Sequence, residues 1–265
     1  MKKPLYIIKV GGKLLDNQGA LHGLLETLVA FGKDFVLVHG GGSHANRMAE
    51  KLGVPQNMIE GRRITDSATL DIALMCYAGL LNKKLVASLQ AIGKNCLGMS
   101  GADANSVPAG LRTNGSQDYG LVGDPLPERV NSSFLESMIE QGIAPVFCAL
   151  THDEKGQMLN TNADTMAQTL AIALSGHYAV ELIYLFEKPG VLKEVNDPNS
   201  MIKRLTCADI PRLQAEKIIL DGMIPKLQNA SKAIHSGVKR VIIGTSSRLR
   251  EILAGDEEVA TYVYP

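Results

Sequence analysis

The sequence predicts an α/β protein in which helices cover both faces of a mainly parallel β-sheet. Two short runs of apolar, mostly β-branched or aromatic residues, 5–8 and 35–38, are typical of strands buried on both faces. Each run leads into a glycine turn and then a helical pattern, and strands alternate with helices along the rest of the chain. This alternation favours parallel pairing, because consecutive parallel strands need a long crossover connection that is usually a helix.

In the first half of the chain, the predicted strands and helices follow this alternation. Leucine and valine residues spaced three and four apart predict a helix that begins near Ala20. Ser43 is the predicted N-cap of a second helix, which runs through Leu52 and ends at Gly53. The further predicted elements are a long helix over about 66–91, a strand over 97–99, hairpins or loops over 109–124, a helix over 133–141 and a strand over 143–149.

The second half repeats the alternation of strands and helices. Its predicted elements are a helix up to Ser175, a strand over 181–186, a glycine turn at Gly190, helices near Asp209 and Ile224, a strand over 240–243 and a helix over 246–253. No low-complexity linker interrupts the chain, so we interpret residues 1–265 as a single domain. A soft boundary near Gly176 divides this domain into an N-terminal lobe of about 1–176 and a C-terminal lobe of about 177–265.

The composition argues against several classes of protein. Lysine plus arginine and aspartate plus glutamate both number 27, which gives no support for binding to nucleic acid or to a membrane surface. No apolar run approaches the roughly 20 residues that span a bilayer, and the run near the N-terminus is too short for a signal peptide. The four cysteines are scattered without a Cys-x-x-Cys pair, which predicts buried thiols in a reducing cytoplasm and no cysteine metal site.

Two glycine turns suggest an anion site. Lys9 stands just before Gly11 and Gly12, and the second predicted strand leads into three glycines, 40–42. Backbone N–H groups at the start of a helix favour an anion, and the nearby lysine makes phosphate the natural ligand. Neither turn matches the P-loop or the dinucleotide-binding pattern, so each alone is as consistent with a tight strand-to-helix turn.

Polar residues with a period of two strengthen the case for a site. Asn160, Asn162 and Asp164 alternate along the chain, so in an extended segment their side chains point the same way. On local grounds a turn with Asp164 as helix N-cap is an equally good interpretation.

The motifs together resemble the amino acid kinase family. The resemblance rests, in order along nearly the whole chain, on KVGGK, VHGGGS, GRRITD, GQMLNTNADTMA and GMIPK. It implies an α/β/α sandwich and the ATP-dependent phosphorylation of the side-chain carboxylate of an N-acyl-L-glutamate, as in arginine biosynthesis. N-acetyl-L-glutamate is the expected substrate and N-succinyl-L-glutamate the alternative. The acylglutamate would bind to the N-terminal lobe and ATP to the C-terminal lobe, at the carboxyl ends of the strands.

The same resemblance implies roles for individual residues. Lys9 and Lys226 would be the two cations on the transferred phosphoryl group, with Asp164 between them. The acceptor carboxylate is already ionised, so no protein base is needed, and Mg²⁺ would arrive bound to ATP with few or no protein ligands. The other implied contacts are phosphate binding by Gly11, Gly12 and Gly41, and substrate binding by Gly41, Gly42, Arg63, Asn160 and Asn162.

The chain departs from the family pattern at two places. Phe186 and Glu187 stand where relatives usually carry a small hydroxyl residue and an aspartate, which leaves the nucleotide contacts open. Arg62 stands beside Arg63 where relatives often have an apolar residue, and is therefore a candidate for binding the acyl group. The simpler interpretation is that it faces solvent or pairs with Glu60 or Asp66. Arginine-inhibited members of the family carry an extra N-terminal helix that assembles hexamers, whereas this chain starts directly at its first strand. The resemblance therefore implies a homodimer without arginine feedback.

Other residues receive structural interpretations. His39 is predicted to be a structural hydrogen-bond donor rather than a base, and Asn82, Lys83 and Lys84 are predicted to form a solvated helix face. A function from another class, a non-catalytic nucleotide-binding regulatory module on the same fold, remains open. The presence of both lysines and Asp164 argues against it. An oxidoreductase is disfavoured because the third fingerprint glycine and the ribose-binding acid are missing.

Overall fold

The computed structural model describes residues 2–59, 62–114, 117–194, 196–219 and 223–265. Its strands are β1 (Pro4–Val10), β2 (Phe35–His39), β3 (Met58–Ile59), β4 (Arg62–Arg63), β5 (Cys96–Met99), β6 (Ala109–Asn114), β7 (Gln117–Pro125), β8 (Ala144–Cys148), β9 (Leu150–His152), β10 (Met158–Asn160), β11 (Ala179–Phe186), β12 (Arg204–Thr206), β13 (Arg240–Thr245) and β14 (Thr261–Tyr264). Its α-helices are α1 (Gly12–Asp16), α2 (Gln18–Phe31), α3 (Gly42–Leu52), α4 (Ser67–Ala73), α5 (Asn82–Ala91), α6 (Ser132–Glu140), α7 (Ala163–Ser175), α8 (Asp209–Ala215), α9 (Ile224–His235) and α10 (Leu249–Ala254).

The main sheet is mostly parallel and runs through both halves of the chain. Its strand order is β12-β14-β13-β11-β1-β2-β8-β5. The strands from β13 to β5 are parallel, whereas β14 pairs antiparallel with β13 and β12 pairs parallel with β14. The prediction of a mainly parallel sheet is confirmed. Because β1 pairs with both β2 and β11, the two proposed lobes share one sheet, and the division near Gly176 falls between α7 and β11.

The two faces of the sheet are covered by different helices, which makes an α/β/α sandwich. In β1, Leu5 and Ile7 belong to a buried cluster with helices α6 to α9. Ile8 and Val10 belong to a second cluster with α1, α2, α5 and α10. Since side chains alternate along a strand, Lys9 lies on the same face as Leu5 and Ile7, toward α7 and α9.

A second, smaller sheet has the strand order β6-β7-β10-β9. Since β6 and β7 pair antiparallel, the predicted excursion at 109–124 is a β-hairpin, of which residues 115 and 116 lie outside the described part. The β3–β4 hairpin is joined to β7 through the bridge between Thr65 and Gly120. This sheet therefore brings β4, which carries Arg63, close to β10, which carries Asn160.

Helices α1 and α3 begin earlier than predicted. After the first glycine turn, α1 begins directly at Gly12, whereas the sequence pattern predicts the first helix near Ala20. The prediction of Ser43 as the N-cap of α3 was wrong: Gly41 occupies that position, and Ser43 Oγ donates a hydrogen bond to Asp16 at 3.0 Å. Both glycine turns therefore lead straight into helices. The helix end at Gly53 is confirmed.

The long helix predicted over 66–91 is present but not uniform. It runs as α4, a π-helical segment (Leu74–Leu81) and α5. By length and composition alone, Ser67–Ala91 could cross a membrane, which corrects the expectation that no stretch approaches that length. In the structure, however, one side of it packs against protein, and it carries Asp71 and the buried Asn82 within its span.

All four cysteines are buried thiols in the structure, as the sequence predicts. Burial raises the pKa of Cys148 to about 12. A thiol of this kind is protonated at neutral pH and therefore a poor nucleophile.

Candidate active site

Three charged side chains from distant parts of the chain meet near the carboxyl end of β1. Oδ2 of Asp164 accepts a hydrogen bond from Nζ of Lys226 at 2.6 Å, and its Oδ1 lies 2.8 Å from Nζ of Lys9. The contact to Lys9 is an ion pair without a well-aligned hydrogen bond. Asp164 thus lies between the two lysines, and the catalytic roles assigned to the three residues stay a prediction.

Asp164 remains ionised in this buried position because of the two lysines. Burial alone would raise its pKa, but the charges of Lys9 and Lys226 outweigh burial and lower the pKa from 3.8 to about 2. The position of Asp164 in the first turn of α7 adds to this effect, since a helix N-terminus favours a negative charge. With both lysines as ammonium groups, the cluster carries a net charge of about one positive unit.

The segment before α7 sets the position of Asp164. Asn162 has an extended backbone and is the N-cap of α7: its Oδ1 accepts hydrogen bonds from the N–H groups of Asp164 at 2.9 Å and Thr165 at 3.1 Å. The alternative interpretation of Asp164 as the N-cap was therefore wrong. Asn160 and Asn162 have extended backbones, but Asp164 already lies in α7. The predicted alternation with a period of two therefore does not extend to Asp164.

Two cavities meet at Lys9 and Gly12. The smaller, of about 230 Å³, is lined by residues that include Gly41, Arg63 and Asn160. The larger, of about 630 Å³, is lined by residues that include Phe186, Lys226 and Ser246. Lys9 and Gly12 line both, so a group bound in one cavity can reach a group bound in the other beside the ion pairs of Asp164.

Arg63 brings a buried positive charge to the smaller cavity. One Nη donates to the side chain of Gln56, and the other donates to Asn46 Oδ1 at 2.5 Å and to the carbonyl oxygen of Gly42 at 3.3 Å. These acceptors are neutral, and no carboxylate of the described residues forms an ion pair with Arg63. A buried guanidinium held by neutral groups favours an incoming anion, in particular a carboxylate.

The two predicted asparagines line the same cavity. Asn160, at the end of β10, is buried and donates from Nδ2 to Thr65 Oγ1 at 3.0 Å. Asn162 uses its oxygen for the cap of α7, which leaves its amide nitrogen as the group available to a ligand. Gly42 begins α3 close to the same guanidinium: an added Cβ there would lie 3.8 Å from Nη2 of Arg63.

Of the glycines in the two turns, Gly41 has no room for a side chain, whereas Gly12 and Gly11 are less crowded. An added Cβ at Gly41 would lie 2.5 Å from Tyr77 Cδ1 and 2.7 Å from Leu81 Cδ1. At Gly12 it would lie 3.2 Å from Ser43 Oγ, and at Gly11 3.5 Å from the Leu185 carbonyl oxygen. Gly41 therefore has a packing reason as well as a possible role toward a ligand.

We expect Gly41→Ala to destabilise the protein by about 1–3 kcal/mol, the usual cost of inserting a methyl group into a packed region. Gly23→Ala is the matched control, because Gly23 lies within α2 and nothing lies within 4 Å of its added Cβ. The control should be neutral or stabilise by about 0.5–1 kcal/mol, since alanine is the better helix former. Urea unfolding of both variants checks this, and equal stabilities would contradict it.

His39 lies behind the second glycine turn and is not exposed. Its Nδ1 lies 2.8 Å from the Gly40 carbonyl oxygen, and its Nε2 lies 3.1 Å from Nδ2 of Asn82. Burial lowers the pKa of His39 to about 4, so the ring is neutral, donating through Nδ1 and accepting at Nε2. The structural interpretation of His39 agrees with this geometry. The prediction that Asn82 lies on a solvated face was wrong, because Asn82 is buried and also donates to the Val146 carbonyl oxygen.

Sequence reasoning missed several residues that hold the site together. Asn46 and Gln56 orient Arg63, and Tyr184 donates from its hydroxyl to the backbone oxygen of Asp164 at 3.2 Å. Only Tyr184 had a signal in the sequence, its place in the predicted strand over 181–186. Its position beside Lys9 is set by the pairing of β11 with β1. The side chain of Arg62 lies outside the described part, so its role as the acyl-group candidate stays a prediction.

Comparisons with known proteins extend over nearly the whole chain. The profile of the Amino acid kinase family matches residues 4–245. An acetylglutamate kinase of Phocaeicola vulgatus is 48% identical over 251 residues, which cover 95% of this chain and 97% of that protein. An acetylglutamate kinase of Bacteroides fragilis is 47% identical over 249 residues, covering 94% and 95%. In structure, the chain is similar to smu.665 of Streptococcus mutans, with a TM-score of 0.78, 28% identity and 98% of each chain covered.

Proposed function

Because the chain belongs to the amino acid kinase family, we propose that it transfers the terminal phosphoryl group of ATP to the side-chain carboxylate of N-acetyl-L-glutamate. The enzyme is a phosphotransferase with a carboxyl group as acceptor, and the names of its relatives imply a place in arginine biosynthesis. The observation that carries the proposal is the meeting of two cavities at Lys9, beside the ion pairs of Asp164.

The reaction needs two anionic groups to approach each other. A side-chain carboxylate oxygen forms a bond to the γ-phosphorus while the bond from that phosphorus to the bridging oxygen breaks, and ADP leaves with the bonding electron pair. Lys9 and Lys226 would offset the repulsion and the charge that develops on the transferred group. Asp164 would hold both ammonium groups at fixed positions, while leaving the cluster a net positive charge.

The acylglutamate would occupy the smaller cavity. Arg63 has no carboxylate partner among the described residues and would bind the α-carboxylate of the substrate. Asn160 and Asn162 would contact the amino-acid part through their amide groups. Gly41 and Gly42 would donate backbone N–H groups at the start of α3.

ATP would occupy the larger cavity, whose volume falls within the range of about 300–1,000 Å³ that is common for small-molecule sites. Lys226 and the backbone of Gly11 and Gly12 would contact its phosphates. The described residues hold no group of three or more His, Cys, Asp or Glu side chains that could bind a metal ion. We therefore propose that Mg²⁺ enters as part of the MgATP substrate.

The test is ATP-dependent acyl-phosphate formation, trapped with hydroxylamine, across a panel of carboxylates. The panel includes N-acetylglutamate, N-succinylglutamate, free glutamate and aspartate. We expect hydroxamate from N-acetylglutamate with ADP released in equal amount. Nucleotide binding without turnover on any member would contradict the proposal and favour a regulatory module.

A separate experiment concerns the acyl group. We expect wild type to prefer N-acetylglutamate over N-succinylglutamate, and Arg62→Leu to leave this preference unchanged. The measurement is kcat/KM for both substrates on both proteins. A wild-type preference for the succinyl compound that disappears in Arg62→Leu would assign its extra carboxylate to Arg62 and overturn the choice of the acetyl substrate.

We further propose that the enzyme works as a homodimer in the cytoplasm. Strand β5, which carries the exposed Leu97, is an edge of the main sheet. The unpaired backbone groups of a sheet edge can pair with a strand of another chain. Light scattering coupled to size-exclusion chromatography should give twice the chain mass of 28.4 kDa. A mass of one chain would contradict this proposal.

A further inference from the structure

We propose that Phe186 is a positioning residue that holds the ammonium group of Lys226 against the transferred phosphoryl group by a cation–π contact. Nζ of Lys226 lies 4.9 Å from the centre of the Phe186 ring, within the range of an attractive cation–π interaction. This inference rests on the proposed phosphoryl transfer. It gives a role to a residue that departs from the family pattern and lines the larger cavity.

The geometry of β11 explains why the ring reaches Lys226. Tyr184 and Phe186 are two residues apart on one strand, so both side chains face the layer that contains α7 and α9. Tyr184 contacts the backbone of Asp164, and Phe186 contacts Lys226. Successive side chains on this face therefore support the two partners of one ion pair.

The contact restrains Lys226 without removing its charge. Asp164 already partners both lysines, and a second carboxylate at Lys226 would cancel the net positive charge that the phosphoryl group needs. An aromatic face attracts an ammonium group through its quadrupole and carries no net charge. Among the described residues, the hydrogen bond to Asp164 uses one of the three N–H groups of Lys226, and the contact with the ring uses no acceptor.

The contact between Lys226 and Phe186 is partly buried, which strengthens it. Phe186 packs against the large buried cluster on its face of the sheet, and the exposed fraction of the Lys226 side chain is 26%. Partly desolvated cation–π contacts are stronger than exposed ones. Losing such a contact corresponds to a change of roughly two- to thirtyfold in a rate or equilibrium constant.

The first experiment compares Phe186→Leu, Phe186→Tyr and wild type in steady state. We expect Phe186→Leu to lower kcat roughly two- to thirtyfold with KM for the acylglutamate unchanged, and Phe186→Tyr to stay near wild type. Phe134→Leu is the matched control, because Phe134 also packs partly buried against the same cluster and no cation among the described residues lies over its ring. Wild-type kcat in Phe186→Leu would overturn the proposal.

Stepwise fluorination of the Phe186 ring separates electrostatics from shape. Added fluorine weakens the ring quadrupole with little change in size, so log kcat should fall with each fluorine. A kcat that is insensitive to fluorine while Phe186→Leu is slow would assign Phe186 a packing role and overturn the proposal.

A double-mutant cycle in urea unfolding tests the contact without any turnover. Phe186→Leu and Lys226→Met, alone and together, should show a coupling of roughly two- to thirtyfold in the unfolding equilibrium constant. Loss of the Asp164 ion pair occurs in both proteins that carry Lys226→Met and cancels in the cycle. Absence of coupling overturns the contact itself. If the cycle shows coupling but wild type phosphorylates no carboxylate, the contact stands and the proposed function is overturned instead.

Discussion

Lys9→Ala and Lys226→Ala should each lower kcat by about 10²–10³, the range that is typical for losing one preorganised charge-stabilising donor. Both ammonium groups lie within 2.8 Å of Asp164 at the junction of the two cavities, so each would meet the charge that develops on the transferred phosphoryl group. Steady-state kinetics with saturating MgATP and N-acetylglutamate provide the measurement.

The control for these variants is Lys232→Ala. Lys232 lies on the same helix as Lys226 but is exposed and does not line the larger cavity. Its kcat should equal that of wild type. A folded Lys9→Ala or Lys226→Ala variant with near-normal kcat would show that the assigned role is wrong.

Asp164→Asn should lower kcat by about 10² with little change in fold. The substitution is nearly isosteric but leaves two ammonium groups close together without the charge that fixes them. The helix cap is unaffected, because Asn162 and not Asp164 is the N-cap of α7. A large loss of thermal stability with retained turnover would favour a purely structural role.

The pH dependence of stability gives a second measurement on the same variant. The pKa of Asp164 is lowered in the folded protein, so its contribution to stability is fully present above the unfolded value near 3.8. That contribution is lost as the pH falls through about 2. Wild type should therefore lose stability relative to Asp164→Asn over this window, and parallel curves would contradict the ion-pair geometry.

The alternation of strands and helices and the mainly parallel sheet could be predicted from the sequence, because they follow from simple rules. Apolar runs with glycine turns identify β1 and β2, and parallel strands bring their carboxyl ends to one edge of a sheet. Helices that start at this edge carry Asp164 and Lys226 in their first turns. The meeting of these two residues with Lys9 was implied by the resemblance to the family and not by these rules.

The positions of the helix caps could not be predicted, because a shift of one or two residues in the start of a helix gives the cap position to a different residue. Ser43 and Asp164 are good cap residues by type, yet Gly41 and Asn162 occupy the cap positions. Close packing against Tyr77 explains why residue 41 is a glycine, and that contact joins residues far apart in the sequence.

Contacts between distant segments also could not be predicted from the sequence. Asn82 looks like part of a charged, solvated helix face, but the chain folds it onto His39. Nothing in the order of residues places Asn46 beside Arg63, or Phe186 beneath Lys226. These partners are set by tertiary packing, which overrides local pattern.

The most direct test of the central claim is a crystal structure with a non-hydrolysable ATP analogue, Mg²⁺ and N-acetylglutamate bound together. We expect the nucleotide in the cavity that Phe186 lines and the acylglutamate in the cavity that Arg63 lines. We also expect a side-chain carboxylate oxygen about 3–3.5 Å from the γ-phosphorus, with Lys9 in contact with both groups. Binding of both ligands in one cavity would contradict the proposed transfer. So would a complex in which the carboxylate and the γ-phosphate lie far from each other and from Lys9.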